Sequence, residues 1–388
     1  MNPTPAFQVI DEHQQQYVSF LQQICSFEAR AYDKEEIDRM VDFIEDFSRS
    51  EGFQVLRTPF ETCGDFLTID LNPGAPKAGI LLAHLDVVQE KGAFGDPAVR
   101  IEGDRMIGPG TVDCKGGVAV ALLMMRALAQ CGYKHHVRLI LTTDEEISNI
   151  LGGEKEQQFI RDAVRGFPFA LNCELTENND VAVSRKGILR YQLHICGKGG
   201  HSGLHYFDSK NAILEAAHKI IALETSSRPD HITYSCNVLH GGTAPNAIPD
   251  ECQLTVDIRA ATWEAMAEAD QVIRQITAKS FIGDTHTSVD LLSKRPPMEK
   301  RDDTMALFHR LDALSNQYDL GKLAAVEPGG GSDSAYTQAA GVTSICGLGP
   351  SGGDYHTNRE YVKISSIPRR AKLLAALLCE QSQLSNSL

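Results

Sequence analysis

Residues that could bind a metal ion or move a proton follow several apolar runs of this sequence. The run LLAHLDVV contains His84 and Asp86, and their H-x-D spacing directs both side chains to one face of an extended chain. The run VRLILTT leads into Glu145 and Glu146. Imidazole and carboxylate groups are the nitrogen and oxygen ligands that zinc and related divalent ions accept, so these residues are candidate ligands.

Three more residues of the same kinds occupy comparable positions. Glu174 follows the run FALNC, His356 follows TSICGL within GGDYHTN, and Asp113 lies in the glycine-rich segment GPGTVDCKGG. In an open α/β sheet, ligands bind outside the carboxyl ends of the strands. The pattern therefore predicts a nitrogen/oxygen metal site at that edge, and so many ligands favour two ions that share one carboxylate.

Each of these residues also has an ordinary structural explanation. A buried histidine can be a hydrogen-bonded core residue, adjacent glutamates usually lie in a solvated loop, and an aspartate before a helix can cap it. A glutamate at a strand end can belong to a turn, and a histidine among glycines can lie on the surface. None of these explanations accounts for the common position of the residues at one end of the predicted strands, so a metal site is favoured.

The first and last parts of the chain alternate apolar strands with helices, which is typical of an α/β domain with a largely parallel sheet. Asp33 with Glu36 predicts a capped helix that stops near Gly52, and Ser366 is a candidate cap for the last helix. Four strands and one buried helix are predicted in these parts, with the strands at 79–83, 137–143, 169–173 and 343–348 and the helix at 116–132.

The middle of the chain has a different pattern, with strands that alternate apolar and polar residues. Together with two helical patterns these strands follow the order β-α-β-β-α-β of a ferredoxin-like unit. We therefore expect a first domain formed by residues 1–186 plus 297–388 and an inserted domain at 187–296. The predicted strands and helices of the inserted domain are strands at 189–195, 234–239, 252–258 and 288–292 and helices at 209–224 and 262–279.

The overall composition is that of a soluble globular protein, with 42% hydrophobic and 23% charged residues. The formal net charge of −14 argues against nucleic acid or an anionic membrane as a partner, since both favour basic patches. Ten cysteines lie at wide spacings without a C-x-x-C pair, so we expect reduced thiols and a cytoplasmic location. The first residues lack the pattern of a signal peptide, and no apolar run has the length of a membrane helix.

Nine short motifs occur along the chain in the order AHLDVV, GPGTVDCKGG, TTDEE, CELTEN, GKGGHSG, GGTAPNAIP, DIRA, GGGSDS and GDYHTNREYV. In these motifs the chain resembles, over nearly all of its length, the co-catalytic di-zinc exopeptidases and amidohydrolases. This family includes glutamate carboxypeptidases, acetylornithine deacetylase, succinyl-diaminopimelate desuccinylase and aminoacylases, and the likeness is strongest to glutamate carboxypeptidases. The resemblance implies an α/β zinc-exopeptidase catalytic domain with an inserted ferredoxin-like α+β domain that serves as a lid and for dimerisation.

The resemblance also assigns metal ligands. It implies that His84 and Glu174 hold one zinc ion, that Glu146 and His356 hold a second, and that Asp113 bridges the two. This gives two Zn²⁺ per subunit, and Co²⁺ or Mn²⁺ would suit the same ligands because such sites discriminate weakly among these ions. A cis peptide bond directly after the bridging aspartate is part of the same pattern.

Two further residues receive catalytic roles from the resemblance. Glu145 would be the general base, taking a proton from a water that bridges the two zinc ions and delivering one to the leaving amine. Asp86 would accept a hydrogen bond from His84 and so fix the tautomer and orientation of that ring.

Four residues are implied in substrate binding. His201 in GKGGHSG would polarise the scissile carbonyl, often from the partner subunit, and Asn246 and Arg259 would hold the substrate carboxylate. Gly330 in GGGSDS would let the backbone approach the carboxylate end of the substrate. An ordinary turn at Asn246, a strand-face charge at Arg259 and a plain flexible loop around Gly330 are the alternatives.

The chain departs from the family pattern in two places. After TTDEE it continues with ISNILGGEK where the family has a Gly-Ser type turn, and CELTEN offers Glu177 as a rival to Glu174. Neither departure removes a ligand, but the unusual loop weakens any close transfer of substrate specificity.

The sequence thus predicts a metal-dependent hydrolase that cleaves an amide bond next to a free carboxylate. We expect it to release an amino acid from a peptide, as a carboxypeptidase or dipeptidase does, with deacylation of N-acyl amino acids as the alternative. A catalytically silent binding protein on the same fold is a further alternative. A serine hydrolase is disfavoured, because the chain lacks the G-x-S-x-G motif of that class. The expected partners are a small-molecule substrate and a second copy of the chain bound through the inserted domain.

Overall fold

The α-helices that the structure describes range from six to 22 residues in length. The structure is a computed structural model that describes residues 1–385, with side chains described as far as Gln381. No helix within this range is both long enough and apolar enough to cross a membrane. The α-helices of residues 1–385 are α1 (Thr4–Cys25), α2 (Lys34–Ser50), α3 (Lys115–Gln130), α4 (Gly153–Ala163), α5 (Ala212–Glu224), α6 (Trp263–Ala278), α7 (Asp302–Gln317), α8 (Ser334–Ala339) and α9 (Ser366–Ser385).

The strands range from two-residue bridges to ten-residue strands. A short 3₁₀ turn, Glu145–Ile147, follows the sixth strand. The strands of the described chain are β1 (Gln54–Thr58), β2 (Phe66–Leu71), β3 (Lys77–His84), β4 (Arg100–Glu102), β5 (Arg105–Ile107), β6 (His136–Thr142), β7 (Phe169–Asn172), β8 (Asp180–Ala182), β9 (Gly187–Cys196), β10 (Gly200–His201), β11 (Ile232–Gly241), β12 (Ala247–Ile248), β13 (Glu251–Ala260), β14 (His286–Arg295), β15 (Ala324–Val326), β16 (Thr343–Ile345), β17 (Gly352–Gly353) and β18 (Tyr361–Lys363).

The chain divides into two compact units. The first unit contains residues 1–184, 300–327 and 332–388, and the second contains residues 185–299 and 328–331. Each unit has its own hydrophobic core. The chain thus leaves the first unit after residue 184 and returns to it at residue 300.

The first unit is built on a six-stranded sheet with the order β1-β2-β6-β3-β7-β16. Strands β6, β3, β7 and β16 are parallel, whereas β1 and β2 pair antiparallel at one edge. The parallel strands end at His84, Thr142, Asn172 and Ile345, so the residues that follow them emerge at the same edge of the sheet. The predicted α/β class is confirmed, with an antiparallel extension that the apolar runs do not reveal.

Helix α3 is buried along most of its length. Its sequence KGGVAVALLMMRALAQ is apolar on nearly all sides, and most of its residues have no exposed surface. It packs against α1, α9 and β3. The packing explains why α3 shows none of the amphipathic periodicity of a surface helix.

The beginning of the first unit both confirms and corrects the sequence expectations. Asp33 caps α2 by accepting a hydrogen bond from the amide of Glu36 at 3.2 Å, and Gly52 follows the helix with a φ of 88°. The sequence patterns, however, predicted no helix before α2. Helix α1 precedes it and buries Ile10, Tyr17 and Leu21 in the same core as α3.

The second unit is a four-stranded antiparallel sheet with the order β11-β13-β9-β14. Along the chain its main elements run β9, α5, β11, β13, α6 and β14, which confirms the predicted ferredoxin-like order. One face of the sheet and the two helices enclose a core that includes Leu193, Leu254 and Ile273. Strand β14 and strand β11 form the two edges.

The N-terminal turn of α3 tolerates no added side-chain atom at Gly117. A Cβ atom built there would overlap the backbone carbonyl of Cys173, just beyond the end of β7. We expect Gly117→Ala to lower the free energy of unfolding by about 1–3 kcal/mol, because neither backbone can move without disturbing the core. Urea denaturation would measure this loss. Gly283→Ala, where a Cβ meets nothing within 4 Å, should change the stability little, and equal losses in both variants would contradict the packing argument.

Candidate metal centre

Asp113 lies between two histidine side chains of the first unit. One of its carboxylate oxygens, Oδ1, is 3.1 Å from Nε2 of His84, and the other, Oδ2, is 3.3 Å from Nε2 of His356. The peptide bond between Asp113 and Cys114 is cis, as the resemblance implies. This aspartate therefore faces both histidines with different oxygen atoms, the arrangement that a bridging ligand requires.

Each of the two histidines faces a second carboxylate. Nε2 of His84 lies 3.5 Å from Oε1 of Glu174, and Nε2 of His356 lies 3.2 Å from Oε2 of Glu146. The five side chains thus form two histidine–glutamate pairs on either side of Asp113. The pairs are the same two that the sequence resemblance implies for two ions.

The sheet and its loops bring these five residues together. His84 is the last residue of β3, Glu174 follows β7 by two residues, and Asp113 precedes α3. Glu146 lies in the 3₁₀ turn after β6, and His356 has a φ of 61° in the loop before β18. Parallel strands deliver the first residues to one edge, and turns with unusual backbone angles aim the others back toward it.

The electrostatics of the cluster suit a cation. Burial raises the pKa of Glu146 to about 8, with the charge of Asp113 adding to the shift. Hydrogen bonds to Asp113 and Glu146 raise the pKa of His356 to about 10. Although burial opposes it, hydrogen bonds from His356 and His84 hold the pKa of Asp113 below its usual range. Charged imidazoles balance the carboxylates here, and divalent cations on the same nitrogen and oxygen donors would do so equally well, so the residues fit a metal.

Asp86 holds the turn that carries the two adjacent glutamates. Its carboxylate accepts hydrogen bonds from the backbone amides of Glu145 at 3.1 Å and Glu146 at 3.0 Å. Nδ1 of His84 bonds to the backbone carbonyl of Asp86 at 3.2 Å, and the carboxylate of Asp86 lies 3.4 Å from the same nitrogen. The Asp86 oxygen nearest to the ring of His84 is therefore the backbone carbonyl. The carboxylate itself accepts from the backbone of the turn, which the H-x-D spacing does not reveal.

The ordinary structural explanation fits His356, whose side chain is 51% exposed at the surface, but it fits the acidic residues poorly. Glu145 is 7% exposed, so it does not lie in a solvated loop. Helix α3 has Cys114 as its N-terminal flanking residue and no side-chain cap hydrogen bond, so Asp113 does not cap it. Of the two rival ligands Glu174 and Glu177, it is Glu174 that lies beside His84.

The expected substrate-binding residues belong to the second unit. His201 in β10 and Asn246 line one cavity of about 850 Å³. Arg259 in β13 is paired with Asp257 through hydrogen bonds of 2.6 and 3.3 Å. Gly330 lies in the short segment 328–331. Within the second unit the structure thus groups His201 with Asn246, whereas Arg259 does not line that cavity.

The unusual loop after TTDEE is closed by a buried pair of carboxyl groups. Asp144 accepts hydrogen bonds from the amides of Leu151 and Gly152, at 3.1 and 3.0 Å, and Asn149 donates to Glu156 at 2.7 Å. Burial and then a hydrogen bond to Asp144 raise the pKa of Glu156 to about 12, so the pair shares a proton at neutral pH. These bonds give the segment a fixed conformation without the Gly-Ser turn that is typical of the family.

Two residues near the cluster have no role in the sequence predictions. Glu360 is buried and accepts hydrogen bonds from the backbone amides of Val112 and Asp113, both at 3.0 Å. Gln89 donates to the same carboxylate at 2.8 Å. A glutamate four residues after His356, within the motif GDYHTNREYV, is the sequence signal that could have identified Glu360.

Comparison with known proteins identifies the family of the chain. The family model for "Peptidase family M20/M25/M40" matches residues 80–380. Carboxypeptidase G2 of Pseudomonas sp. (strain RS-16) is 27% identical over 384 residues, which cover 96% of this chain and 91% of the relative. Succinyl-diaminopimelate desuccinylase of Rickettsia akari is 25% identical over 285 residues, 67% of this chain and 72% of the relative.

A solved structure extends the likeness to the fold. The tripeptidase of Staphylococcus aureus subsp. aureus mu50 superimposes with a TM-score of 0.77 at 19% sequence identity, covering 95% of this chain and 99% of that one. At 19% sequence identity the superposition supports a common fold and nothing more.

Fold and family model together define a metal-dependent hydrolase that acts on peptide or amide bonds. The chain belongs to the M20/M25/M40 family of peptidases. The likeness to di-zinc exopeptidases and amidohydrolases is thereby confirmed.

Proposed function

We propose that this hydrolase cleaves an amide bond next to a free carboxylate and releases an amino acid from a peptide, as a carboxypeptidase or dipeptidase. The observation that carries the proposal is the position of Asp113 between the pairs His84–Glu174 and His356–Glu146. Such a cluster offers two adjacent sets of donors for divalent ions.

The metal ligands of this proposal are the five clustered residues. His84 and Glu174 would hold one ion, His356 and Glu146 the other, and Asp113 would bridge them; two Zn²⁺ per subunit are proposed, with Co²⁺ or Mn²⁺ as substitutes. When bound, such ions supply Lewis acidity, which polarises a carbonyl oxygen and lowers the pKa of water.

Glu145 is the proposed general base. It neighbours the ligand Glu146, is buried, and has its backbone amide fixed by Asp86. Its carboxylate takes a proton from the attacking water and returns one to the nitrogen of the leaving amine. Asp86 supports this step by fixing both the turn that carries Glu145 and the ring of His84.

Substrate recognition is assigned to the second unit. His201 would polarise the scissile carbonyl, and Asn246 and Arg259 would bind the free carboxylate of the substrate, with the backbone around Gly330 close by. The bonds from Arg259 to Asp257 hold its guanidinium in a defined position, which suits bidentate binding of a carboxylate.

Carboxypeptidase activity is favoured over deacylation by the extent of the matching relatives. The match to carboxypeptidase G2 covers 91% of that protein, whereas the match to the desuccinylase covers 72%. Deacylation of N-acyl amino acids is the second candidate, and the desuccinylase is the observation that supports it.

The second unit also offers a surface for a homodimer. Strand β11 lies at an edge of the sheet, and Val238 and Leu239 on it are exposed. Leu214 and Ile221 on the neighbouring helix α5 are exposed as well. Unpaired edge strands with apolar neighbours favour pairing with a second copy.

The net charge of −14 argues against nucleic acid or membranes as partners. The widely spaced cysteines support a cytoplasmic location.

A substrate panel tests the proposed activity. Zinc-loaded protein would be incubated with dipeptides, peptides with C-terminal glutamate or other residues, γ-glutamyl amides, and N-acetyl and N-succinyl amino acids. We expect release of a C-terminal amino acid from at least one peptide and none from the same protein after chelation. Turnover confined to N-acyl amino acids would favour the deacylase, and no turnover by metal-loaded protein would favour a silent binding protein.

A further inference from the structure

The carboxylate of Glu360 connects its own segment to two other segments of the first unit. Its side chain is buried, and Oε1 accepts hydrogen bonds from the consecutive amides of Val112 and Asp113, both at 3.0 Å. Oε2 accepts a hydrogen bond from Nε2 of Gln89 at 2.8 Å. Both oxygens of one buried carboxylate are therefore used.

Each of these three segments carries a proposed metal ligand. Gln89 lies five residues after His84, the amide of Asp113 belongs to the bridging residue itself, and Glu360 follows His356 by four residues. Nε2 of Gln89 also lies 3.5 Å from the carbonyl of Thr357, between His356 and Glu360. The carboxylate thus joins three ligand-bearing segments that are remote in sequence.

The backbone around Glu360 adds to this connection. Strand β18, which begins at Tyr361, pairs with β5, and the amide of Gly108 donates to the carbonyl of Glu360 at 3.1 Å. The segment that leads from β5 to Asp113 is therefore bound to Glu360 through both main chain and side chain.

We propose that Glu360, supported by Gln89, is a positioning residue for the metal centre. It does not contact a metal; it holds the peptide of Asp113 so that the two oxygens of that side chain face His84 and His356 at once. This inference rests on the proposed metal-dependent function.

The physical reason lies in the two amides. If the acceptor of the Val112 and Asp113 amides is removed, two adjacent buried donors lose their partner, and the loop must rotate to satisfy them. A rotation of this peptide moves Asp113 relative to both histidines. Loss of residues that orient metal ligands typically weakens metal binding about 10–100-fold.

The test compares zinc affinity among variants by competition with a chromogenic chelator. We expect Glu360→Ala to bind zinc about 10–100-fold more weakly than the natural protein. Glu360→Gln should recover most of the affinity, because its amide oxygen can still accept from both backbone donors and the amide of Gln89 can rotate to pair with it. In the zinc-loaded state, Glu360→Ala should lose kcat more than it raises KM.

Glu215→Ala is a matched control from the second unit. Glu215 is equally buried and accepts from the consecutive amides of Phe281 and Ile282, at 2.9 and 2.6 Å. Both alanine variants should lower the melting temperature of the metal-free protein, but only Glu360→Ala should weaken zinc binding. Equal zinc affinity of Glu360→Ala and the natural protein would overturn the proposal.

Two further outcomes are decisive. If Glu360→Ala does not fold, the variant Gln89→Ala is measured instead. The zinc affinity of Gln89→Ala should be at least about threefold lower than that of the natural protein. A decrease of less than about twofold would reject the positioning role. If the natural protein itself binds no divalent metal, the proposed function is rejected. If the natural protein binds zinc and its variants bind zinc equally well, only the positioning role of Glu360 is rejected.

Discussion

Glu145→Gln is expected to lower kcat by at least about 10³-fold, equivalent to about 4 kcal/mol of activation free energy, while metal content stays unchanged. Glutamine has nearly the same shape as glutamate but cannot take a proton at neutral pH. The loss should appear in kcat rather than in KM, because the carboxylate acts on the attacking water and not on the bound substrate. Initial rates on the best substrate of the panel, with zinc quantified in the same samples, would measure it.

The neighbouring Glu146 supplies the matched control for this prediction. Glu146→Gln makes the same chemical change one residue away, but its carboxylate lies 3.2 Å from Nε2 of His356 within the metal cluster. It should therefore lose metal as well as activity, whereas Glu145→Gln should lose activity alone. Activity of Glu145→Gln within about tenfold of the natural protein would show that another group is the base.

The second large effect is expected at Asp113, the proposed bridging residue, where Asp113→Asn should weaken zinc binding by at least about 100-fold. An asparagine offers one neutral oxygen in place of two charged ones, so it cannot face His84 and His356 with equivalent donors. Because a ligand stabilises the folded state by RT ln(1 + [L]/Kd), zinc at 1,000 times the natural Kd should add about 4.1 kcal/mol to the natural protein. The same zinc concentration should add only about 1.4 kcal/mol to a variant with 100-fold weaker binding.

Calorimetry or chemical denaturation with and without zinc would measure this difference. Asp46→Asn, at an exposed position of α2, removes the same charge away from the cluster and should keep the full zinc-induced stabilisation. If Asp113→Asn were stabilised as strongly as the natural protein, Asp113 would not be a shared ligand.

Several features of the protein follow from its sequence by simple physical rules. Apolar runs of strand length predict β3, β6, β7 and β16, and parallel strands must bring their carboxyl ends to one edge. The residues that follow these runs could therefore be expected to meet although they are up to 272 positions apart, as His84 and His356 are. Alternating strands and two amphipathic helices likewise predict the ferredoxin-like unit.

Other features depend on contacts that no local pattern encodes. Helix α1 joins the core of α3, and β1 and β2 extend the sheet antiparallel, because tertiary packing selects among elements of similar propensity. The carboxylate of Asp86 bonds to backbone amides 59 and 60 residues further on, although the H-x-D motif points only to its neighbouring histidine.

The sequence by itself determined which chemical groups the protein brings to its proposed metal centre, because residue type and strand order are written in it. The tertiary structure alone decided which atoms face each other: Asp113 directs one oxygen to each histidine, and Glu360 holds the peptide from which that side chain projects. Bonds such as those from Glu360 to amides 247 and 248 residues away form only when distant loops fold against one another, and backbone amides carry no sequence signal.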